Sequence, residues 1–391
     1  MKSQSKKGDA AALRRLFYGR AMARLSREEQ AKERNKLYIP YEFSLNALST
    51  FFFDAGIRQG WLTDAGLPSE AALKGPILLA VSGGSDSMTL LWLFRVFCES
   101  EIVVVHFEHG IRERESVEDA FFVEDMARRW GIETITHHVD VPNSLEKGES
   151  LETGARRLRY SFFERVAKER GAYGVALGHN KGDVAETTLF NLLRGSGARG
   201  LAGIPEQRGI FFRPLLTCSR EFLRKILKYR GITWREDRTN KDNSFTRNFI
   251  RNKLIPDIEH GVNMRAVDHL VAFADEMRYY REEEERQGKI LIERAERSNI
   301  DGGCNGYEFN RAVVSSMSDR ERAVLIRSIT RRMNIPVLPR ERCFELTNLM
   351  KGTRKFEFQC EKNARILGDR DSIKWIKQAK QVTQTKTGSD C

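Results

Sequence analysis

A loop rich in serine and glycine is the stretch of this chain best suited to chemistry. Ile77–Val81 has the length and composition of a buried strand, and it is followed in order by Ser82, Gly83, Gly84, Ser85, Asp86 and Ser87. A helical pattern, Met88–Phe97, begins immediately afterwards. Glycine lets the backbone turn tightly and approach a ligand, and the N–H groups at a helix start attract anions. The loop therefore predicts a phosphate-binding site at a strand-to-helix junction.

The residue types in the loop indicate which phosphates it would hold. The loop has neither the lysine nor the spacing of the GxxxxGK[ST] nucleotide loop. It is therefore better suited to a pyrophosphate that leaves as one unit than to transfer of a terminal phosphoryl group. Asp86 adds a negative charge to an anion site, which makes sense if it holds Mg²⁺ or orients the loop. The alternative is an ordinary Gly/Ser turn with a capping serine.

Short apolar runs alternate with helical patterns around this loop. The predicted strands are Ile77–Val81, Ile102–Phe107, Ile132–Val139 and Val175–Gly178, and the predicted helices are Met88–Phe97, Val117–Trp130, Arg156–Arg170, Asp183–Arg194 and 219–230. This alternation predicts an α/β fold, in which a parallel sheet carries helices on both faces. A short amphipathic helix between Pro40 and Gly60 precedes the first strand.

After Pro256 the pattern becomes mainly helical, with a small β appendage near the end. The predicted helices lie at Val262–Ser298, Arg322–Met333 and Arg340–Met350, and short strands are predicted within Lys355–Ile376. Ser318 and Glu321 have capping-box spacing. The predicted division of the chain is a basic extension over 1–40 with disorder as one interpretation, a catalytic α/β domain over 41–256, a helical substrate-binding domain over 257–350, the β appendage over 351–377 and a disordered tail over 378–391.

The composition narrows the class of protein. The 391 residues carry a net charge of +12, and no apolar run approaches the roughly 20 residues of a membrane helix, so no membrane partner is expected. The six cysteines form no CxxC pair, which argues against a disulfide scaffold, a Cys-rich zinc site and an iron–sulfur cluster, and favours a reducing cytoplasm. Residues 1–36 hold eleven basic and four acidic side chains. We interpret them as a solvated, partly helical extension, as residues ahead of a start at Met22, or as an arm touching nucleic acid phosphates.

Two further motifs are weaker candidates. Gly195–Gly200 spells GxGxxG but follows a helix instead of a strand, which argues against a dinucleotide site. His106, Glu108 and His109 have metal-ligating types, but strand alternation sends His109 to the opposite face from the other two. We interpret these three as polar residues beside a ligand crevice at the end of a parallel strand.

A series of motifs narrows the interpretation of the loop. In chain order the motifs are SGGxDS at Ser82–Ser87, HGIR at His109–Arg112, ARRLRY at Ala155–Tyr160, AET at Ala185–Thr187, LRGSG at Leu193–Gly197, RPLL at Arg213–Leu216 and EDRTN at Glu236–Asn240, followed by Arg247, Asn248 and Arg251. The loop resembles that of the N-type ATP pyrophosphatases. The whole series, over roughly residues 76–256, resembles the tRNA(Ile)-lysidine synthetases of that superfamily.

This resemblance implies a Rossmann-like ATP-pyrophosphatase domain, a helical tRNA-binding domain and a two-step reaction. ATP adenylates the base oxygen of the wobble cytidine in a CAU-anticodon tRNA(Ile), and pyrophosphate leaves. The ε-amino group of lysine then displaces AMP and gives lysidine. The cofactors implied are ATP and Mg²⁺, and the partners are that tRNA and free L-lysine. A cytoplasmic location follows, and a homodimer is left open.

The resemblance also implies roles for acidic residues. The loop would hold pyrophosphate, with Asp86 near Mg²⁺. Asp183 and Glu186 share one face of a predicted helix, where one could bind the metal or accept protons from lysine and the other could hold its ammonium group. A solvated helix edge is the alternative for this acid pair. The predicted catalytic residues are Asp86, Asp183, Glu186 and Arg112, and the predicted metal ligands are Asp86 and Asp183.

Forked, permanently charged arginines complete the predicted site. They suit phosphate, the carboxylate of a bound lysine or the tRNA backbone. The predicted substrate and tRNA contacts are Arg157, Arg213, Arg247 and Arg251. A surface salt-bridge stripe is the alternative for Arg247 and Arg251, which lie one helical turn apart.

One motif departs from the family pattern. The family usually has the run His-His-x-Asp-Asp before its Ala-Glu-Thr, and this chain reads His179-Asn180-Lys181-Gly182-Asp183. One carboxylate is therefore missing at this turn. Because Asp183, Glu186 and Asp86 remain, we expect the chemistry to survive.

Three other functions stay open at this stage. A sulfur-inserting tRNA enzyme uses the same adenylating loop, although many such enzymes rely on paired cysteines. A non-catalytic RNA-binding relative would account for Gly182 and the basic N-terminal segment. An ammonia-using amide synthetase would have no need of basic helices.

Overall fold

The chain divides into two compact units, Met1–Glu276 and Met277–Cys391. The structure is a computed structural model that describes residues 19–34, 40–64, 68–110, 113–236, 242–300, 306–336, 338–361 and 364–377. The division falls within one long helix. The predicted domain limits at 256, 350 and 377 therefore stay predictions.

The first unit alternates strands and helices. Its described elements are helices α1 (Arg27–Arg34), α2 (Leu45–Arg58) and α3 (Glu70–Leu73), strand β1 (Ile77–Ala80), helix α4 (Ser85–Phe97), strand β2 (Ile102–Glu108), helix α5 (Glu113–Arg129), strand β3 (Glu133–His138), helix α6 (Leu151–Glu169), strand β4 (Gly174–Leu177), helices α7 (Lys181–Leu193) and α8 (Ala198–Leu201), strands β5 (Gln207–Arg208) and β6 (Phe211–Phe212), and helices α9 (Arg220–Arg230), α10 (Thr246–Phe249), α11 (Ile255–Gly261) and α12 (Ala266–Ala295), the last of which crosses the division. Short 3₁₀ turns lie at Tyr41–Phe43 and Pro142–Ser144, and a π-helical turn lies at Ile250–Leu254.

The strands of the first unit form one mostly parallel sheet. Their order is β3-β2-β1-β4-β6-β5, and only the pair β5–β6 is antiparallel among the described strands. The predicted α/β parallel-sheet fold is confirmed, with element ends shifted by a few residues. Since β1 lies between β2 and β4, the loop that follows it emerges at the centre of the sheet edge.

Both faces of the sheet are covered at its centre, which explains why the central strands β1 and β4 are apolar. Ile77 and Leu79 are fully buried and pack into one core with α2, α4 and α9. Leu78 is fully buried in a second core, on the other face, with α6. A strand that is buried on both faces is a continuous hydrophobic run. Packing on both sides holds β1 in place, and β1 in turn positions the loop that follows it.

The described part of the basic extension packs against this unit. Residues 19–23 and helix α1 are helical, and Ala21 and Leu25 are buried in the first core. Glu33 pairs with Arg230 over 2.8 Å, with both side chains 4 % exposed, and accepts a hydrogen bond from Leu45 N. Disorder is therefore wrong for residues 19–34, because a buried ion pair and apolar contacts hold them. Residues 1–18 and 35–39 lie outside the described residues.

The second unit packs short helices against an antiparallel sheet. Its described elements after α12 are strands β7 (Glu296–Ile300) and β8 (Gly306–Asn310), helices α13 (Arg311–Ser316), α14 (Asp319–Arg332) and α15 (Arg340–Lys351), and strands β9 (Phe356–Glu361), β10 (Ala364–Gly368) and β11 (Ser372–Lys377). The strand order is β7-β8-β11-β10-β9. The predicted capping box is present, since Ser318 and Glu321 exchange hydrogen bonds at the start of α14.

This sheet is larger than the predicted β appendage. The helix that was predicted to reach Ser298 ends at Ala295, and strands β7 and β8 join the sheet through β11. The segment Glu296–Ile300 is polar and has no strand alternation, so only its pairing with β8 makes it a strand. The predicted tail 378–391 lies outside the described residues. Among the helices that the structure describes, none is long and apolar enough to cross a membrane.

Candidate active site

The serine- and glycine-rich loop joins β1 to the first turn of α4. Gly83 has a φ of +88°, which glycine adopts without strain, and Gly84 caps the helix. Ser82 N donates to the Ser87 hydroxyl over 3.1 Å, and that hydroxyl donates to Gly84 O over 3.0 Å. These bonds fold the loop over the helix N-terminus, where backbone N–H groups have no intrahelical acceptor. The loop has the backbone of an anion site.

A cavity of about 990 Å³ opens where the parallel strands end. This edge is the usual ligand crevice of an open parallel sheet. The loop residues that line it are Ser82, Gly84, Ser85, Asp86 and Ser87, and Gly83 supplies the turn behind them. His106 Nδ1 lies 2.7 Å from Val81 O, so β2 supports the loop from one side. His106, Glu108 and His109 all line the cavity, and they are polar residues beside a crevice as the sequence predicted.

Two carboxylates on α7 face two arginines on the opposite wall. Asp183 and Glu186 are 7 % and 2 % exposed and lie on the same helix face, as predicted. Arg251 Nη2 lies 2.9 Å from Asp183 Oδ1, and its Nε lies 2.6 Å from Glu186 Oε1. Arg247 reaches the same two carboxylates at 3.4 and 3.2 Å. The π-helical turn at Ile250–Leu254 carries Arg251 into this arrangement.

A third carboxylate links the loop to this cluster. Asp86 Oδ2 accepts from Asn180 Nδ2 at 2.8 Å and from Arg220 Nε at 3.3 Å. Arg220 Nη2 also lies 3.8 Å from Asp183 Oδ1. Three acids and three arginines therefore balance one another's charge, and a buried cluster of one sign would not be stable. The α9 residue Arg220 was not among the predicted site residues.

The turn that departs from the family pattern builds the bridge between Asp86 and Asp183. Asn180 is fully buried and caps α7, because its Oδ1 accepts from Asp183 N and its own N donates to Asp183 Oδ2. The side-chain Nδ2 of Asn180 is then free to donate to Asp86 Oδ2. A Cβ added to Gly182 would lie 3.1 Å from Asn180 Oδ1 and 4.0 Å from Glu186 Oε1. A side chain at position 182 would therefore point at groups that the cluster already uses.

Comparison with known sequences agrees with this geometry. Residues 67–258 match the family described as "PP-loop domain", and the match spans the loop, α7 and the arginine-bearing segment. Residues 67–258 are a PP-loop domain. The match supports the use of ATP.

Three relatives that match this domain have the same name, tRNA(Ile)-lysidine synthase. The chain is 43 % identical over 184 residues to the tRNA(Ile)-lysidine synthase of Thermotoga sp. (strain RQ2), covering 46 % of this chain and 44 % of that protein. It is 45 % identical over 189 residues to that of Thermus thermophilus, covering 48 % and 36 %. For Chlorobaculum tepidum the identity is 41 % over 187 residues, covering 47 % and 56 %.

These matches confirm the predicted resemblance to the tRNA(Ile)-lysidine synthetases over the PP-loop domain. They cover about half of this chain. The chain spans about half, or less, of the length of the first two of these relatives.

Two predicted substrate contacts lie away from the cavity of the PP-loop domain. Arg157 is held by Glu149 at 2.7 Å and donates to Ser144 O, because the segment before α6 folds back onto it. Arg213 is 4 % exposed and donates to Pro205 O at 3.0 Å. Neither side chain lines the cavity, so the structure does not support direct contact with a substrate there. The predicted catalytic residue Arg112 lies outside the described residues.

The carboxylates of Asp86 in the loop and Asp183 in α7 have the chemistry of a magnesium site. Burial raises the pKa of Asp86, and repulsion from Asp183 raises it further. Arg220 and Asn180 lower the same pKa, but by less in total. A divalent cation between these acids would relieve that repulsion. Within the described ranges no group of three or more His, Cys, Asp or Glu residues could hold a metal ion. Mg²⁺ usually takes one or two carboxylates and completes its shell with phosphate oxygens and water, so this pair fits it.

A half-buried, neutral histidine at the cavity predicts a pH-dependent stability. Burial lowers the pKa of His179 to about 3, and among the described residues its Nδ1 has no hydrogen-bond partner. The unfolded chain takes up a proton below about pH 6.5 that the folded protein does not, so stability falls as the pH falls. We expect a loss of about 1 kcal/mol from this residue between about pH 7.5 and about pH 5.5. Urea unfolding of the wild type and of His179→Gln at both pH values measures it.

The matched control for this measurement is His269→Gln, which changes an exposed histidine of α12. Its unfolding free energy should keep the pH slope of the wild type, whereas His179→Gln should flatten that slope. Equal slopes for the two variants would contradict the prediction.

Proposed function

We propose that the chain modifies a transfer RNA: ATP adenylates the wobble cytidine of a CAU-anticodon tRNA(Ile), and the ε-amino group of lysine then displaces AMP to give lysidine. The observation that carries the proposal is the placement of the phosphate loop and the Asp86–Asp183 pair in one cavity of the PP-loop domain. The names of the relatives support this choice of substrates. The protein would act in the cytoplasm, and a homodimer remains an open part of the proposal.

The loop would bind the two outer phosphates of ATP, so that the bond to the inner phosphate breaks. The backbone N–H groups at the start of α4, over which Ser82 and Ser87 fold the loop, would meet a pyrophosphate, which leaves as one unit. Asp86 and Asp183 would hold Mg²⁺, which offsets the charge that builds up on the leaving group. Arg220 lies beside both carboxylates and adds a fixed positive charge at the same place.

Within this proposal Glu186 orients arginines instead of taking protons. Both of its oxygens accept from guanidinium groups: Arg251 binds both, and Arg247 binds Oε2. Both oxygens are therefore already occupied, and Glu186 does not line the cavity. The proton that the lysine ammonium must lose would pass to Asp86, which faces the cavity and whose pKa is raised by burial. Arg247 and Arg251, which line the same cavity, would hold a substrate phosphate or carboxylate.

The missing carboxylate at Gly182 leaves this mechanism intact. Asp183 comes from the same turn, Glu186 from the next, and Asp86 from the loop, so three acids still reach the cluster. A fourth acid at position 182 would lie near Glu186 and Asn180 Oδ1, where it would add repulsion. The non-catalytic alternative is therefore less favoured than an active enzyme.

A sulfur-inserting enzyme is also less favoured. Burial raises the pKa of Cys98 to about 11 and that of Cys218 to about 12, and a thiol needs its thiolate form to carry sulfur. Neither residue lines the cavity. Under our proposal, Cys98→Ala together with Cys218→Ala leaves the modification reaction in place.

Mass spectrometry of nucleosides tests the proposed function. Purified protein is incubated with ATP, Mg²⁺, lysine and a CAU-anticodon tRNA(Ile), and the tRNA is digested. We expect a cytidine carrying lysine, with AMP and pyrophosphate in equal amounts. Thiolated nucleoside in the presence of a sulfur donor would establish the alternative enzyme, and release of ADP would contradict the role of the loop. A tRNA whose anticodon lacks the cytidine is the control and should stay unchanged.

A further inference from the structure

Two phenylalanines are exposed on the segment that carries the cavity-lining residues Arg247 and Arg251. Phe245 and Phe249 are 45 % and 40 % exposed, although large aromatic side chains usually lie in the interior. Phe245 is the residue before α10 and Phe249 is its last residue, and Phe249 N donates to Phe245 O over 2.9 Å. One helical turn separates the two rings, so they share a face of this segment.

The other faces of the same segment belong to the cavity. Arg247 and Arg251 point to the buried carboxylates Asp183 and Glu186. Asn248 and Asn252 follow around the helix, and they line the cavity and hold the backbone or side chain of residues 242–243. The exposed rings lie on the face next to these asparagines. A ligand that leaves the cavity on this side would meet the two rings.

The positively charged side chains near the two rings indicate what kind of ligand would bind them. Lys253 is exposed four residues after Phe249. The cavity is lined by six arginines (Arg159, Arg220, Arg224, Arg235, Arg247 and Arg251) and five acids (Asp86, Glu108, Asp119, Asp183 and Glu236), so its lining keeps a small positive excess. Aromatic rings beside cations are the combination that binds single-stranded nucleic acid, where bases stack on the rings and the backbone meets the positive charge. A peptide or lipid would not use the planar faces in this way.

We propose that Phe245 and Phe249 form a stacking platform for unpaired RNA bases that flank the base entering the cavity. The proposal rests on the proposed function and adds the residues that hold the substrate. When one base of an RNA loop is turned into the cavity, its neighbours lose their stacking partners, and the rings replace these partners. Lys253 would contact the phosphate beside the stacked bases.

The test uses an RNA hairpin with a CAU loop, labelled with 2-aminopurine at a position next to the cytidine. Stacking on a ring changes the fluorescence of this base analogue. We expect Phe245→Ala and Phe249→Ala each to weaken hairpin binding about fivefold or more, since base–aromatic stacking contributes about 1 kcal/mol or more per base. The 2-aminopurine signal should also be lost. ATP binding, measured without RNA, should stay as in the wild type.

Further variants separate stacking from simple apolar contact. Phe249→Trp keeps a stacking face and should bind the hairpin at least as well as the wild type, whereas Phe249→Leu should behave like Phe249→Ala. Phe121→Ala is the matched control, because Phe121 is a 65 % exposed aromatic residue of α5 and does not lie on the segment that carries Arg247 and Arg251. It should leave the binding unchanged.

The results distinguish failure of the platform from failure of the proposed function. The platform is overturned if Phe249→Leu binds the hairpin as the wild type does, or if the fluorescence signal survives in both alanine variants. A wild type that shows RNA stacking but adds no lysine to cytidine would overturn the proposed function and leave the platform in place.

Discussion

Replacement of Asp183 by asparagine is expected to reduce turnover by about a thousandfold, because several kcal/mol of charge stabilisation at the reacting phosphates depends on this carboxylate. The substitution is conservative in shape. The new amide oxygen would still accept the hydrogen bond from Asn180 N that completes the cap of α7. What disappears is the negative charge that faces Asp86 and balances Arg251. The loss should therefore appear mainly in the chemistry, together with a lower free energy of unfolding, because Arg251 and Arg247 lose a charged partner.

The reaction is measured as pyrophosphate release from ATP in the presence of tRNA. The ATP affinity without Mg²⁺ should not fall, because one negative charge has been removed from beside a triphosphate site. Asp268→Asn is the control: it changes a partly exposed acid of α12 that pairs with Lys181 and does not line the cavity. Turnover by Asp183→Asn within about tenfold of the wild type would contradict the assigned role.

The parts of the site that were predicted from sequence are those that depend on neighbours along the chain. The loop Ser82–Ser87 forms through hydrogen bonds across five residues or fewer, and an apolar strand and helix hold its two ends. Asp183 and Glu186 share a face because helix periodicity places them there. Features of this kind can be predicted because they depend only on residues that are close together along the chain.

The parts that were missed depend on contacts between distant segments. Arg220 reaches Asp86 across 134 residues, and no periodic pattern distinguishes it from other arginines of an amphipathic helix. Asn180 looked like a loss from the family motif, but its amide joins two carboxylates whose positions only the fold determines. A capping residue before an apolar helix was the one available signal for it.

Two other predicted residues show the same limit of sequence patterns. Arg157 was assigned to the substrate because of its motif, yet a local acid, Glu149, holds it on the outside of the cavity. Arg213 was assigned for its charge, and it is buried against the Pro205 carbonyl. Charge and motif therefore selected the right class of residue, and only packing decided which members reach the cavity.

A valine in place of Gly178 is expected to weaken ATP binding by about a hundredfold or more while the sheet remains folded. Gly178 directly follows β4, and a Cβ built there would lie 3.2 Å from Ser87 N and 3.3 Å from the Asp86 carbonyl carbon. These neighbours are backbone atoms at the start of α4, so they cannot turn away as a flexible side chain can. The branched side chain has to push the helix N-terminus out of the position in which its N–H groups hold phosphate. Calorimetric titration with ATP and Mg²⁺ measures the effect.

The control for Gly178→Val is the same substitution at Gly197, where an added Cβ meets nothing within 4 Å and φ is −73°. Because Gly197 belongs to the GxGxxG stretch, this control also tests whether that stretch contributes to nucleotide binding. Our interpretation requires Gly197→Val to bind ATP as the wild type does, because the stretch follows a helix and presents no strand-to-helix anion site. If the Gly178 variant bound ATP normally and the Gly197 variant did not, the triphosphate would belong to the other glycine stretch. The close approach of β4 to α4 would then contribute to packing and not to ATP binding.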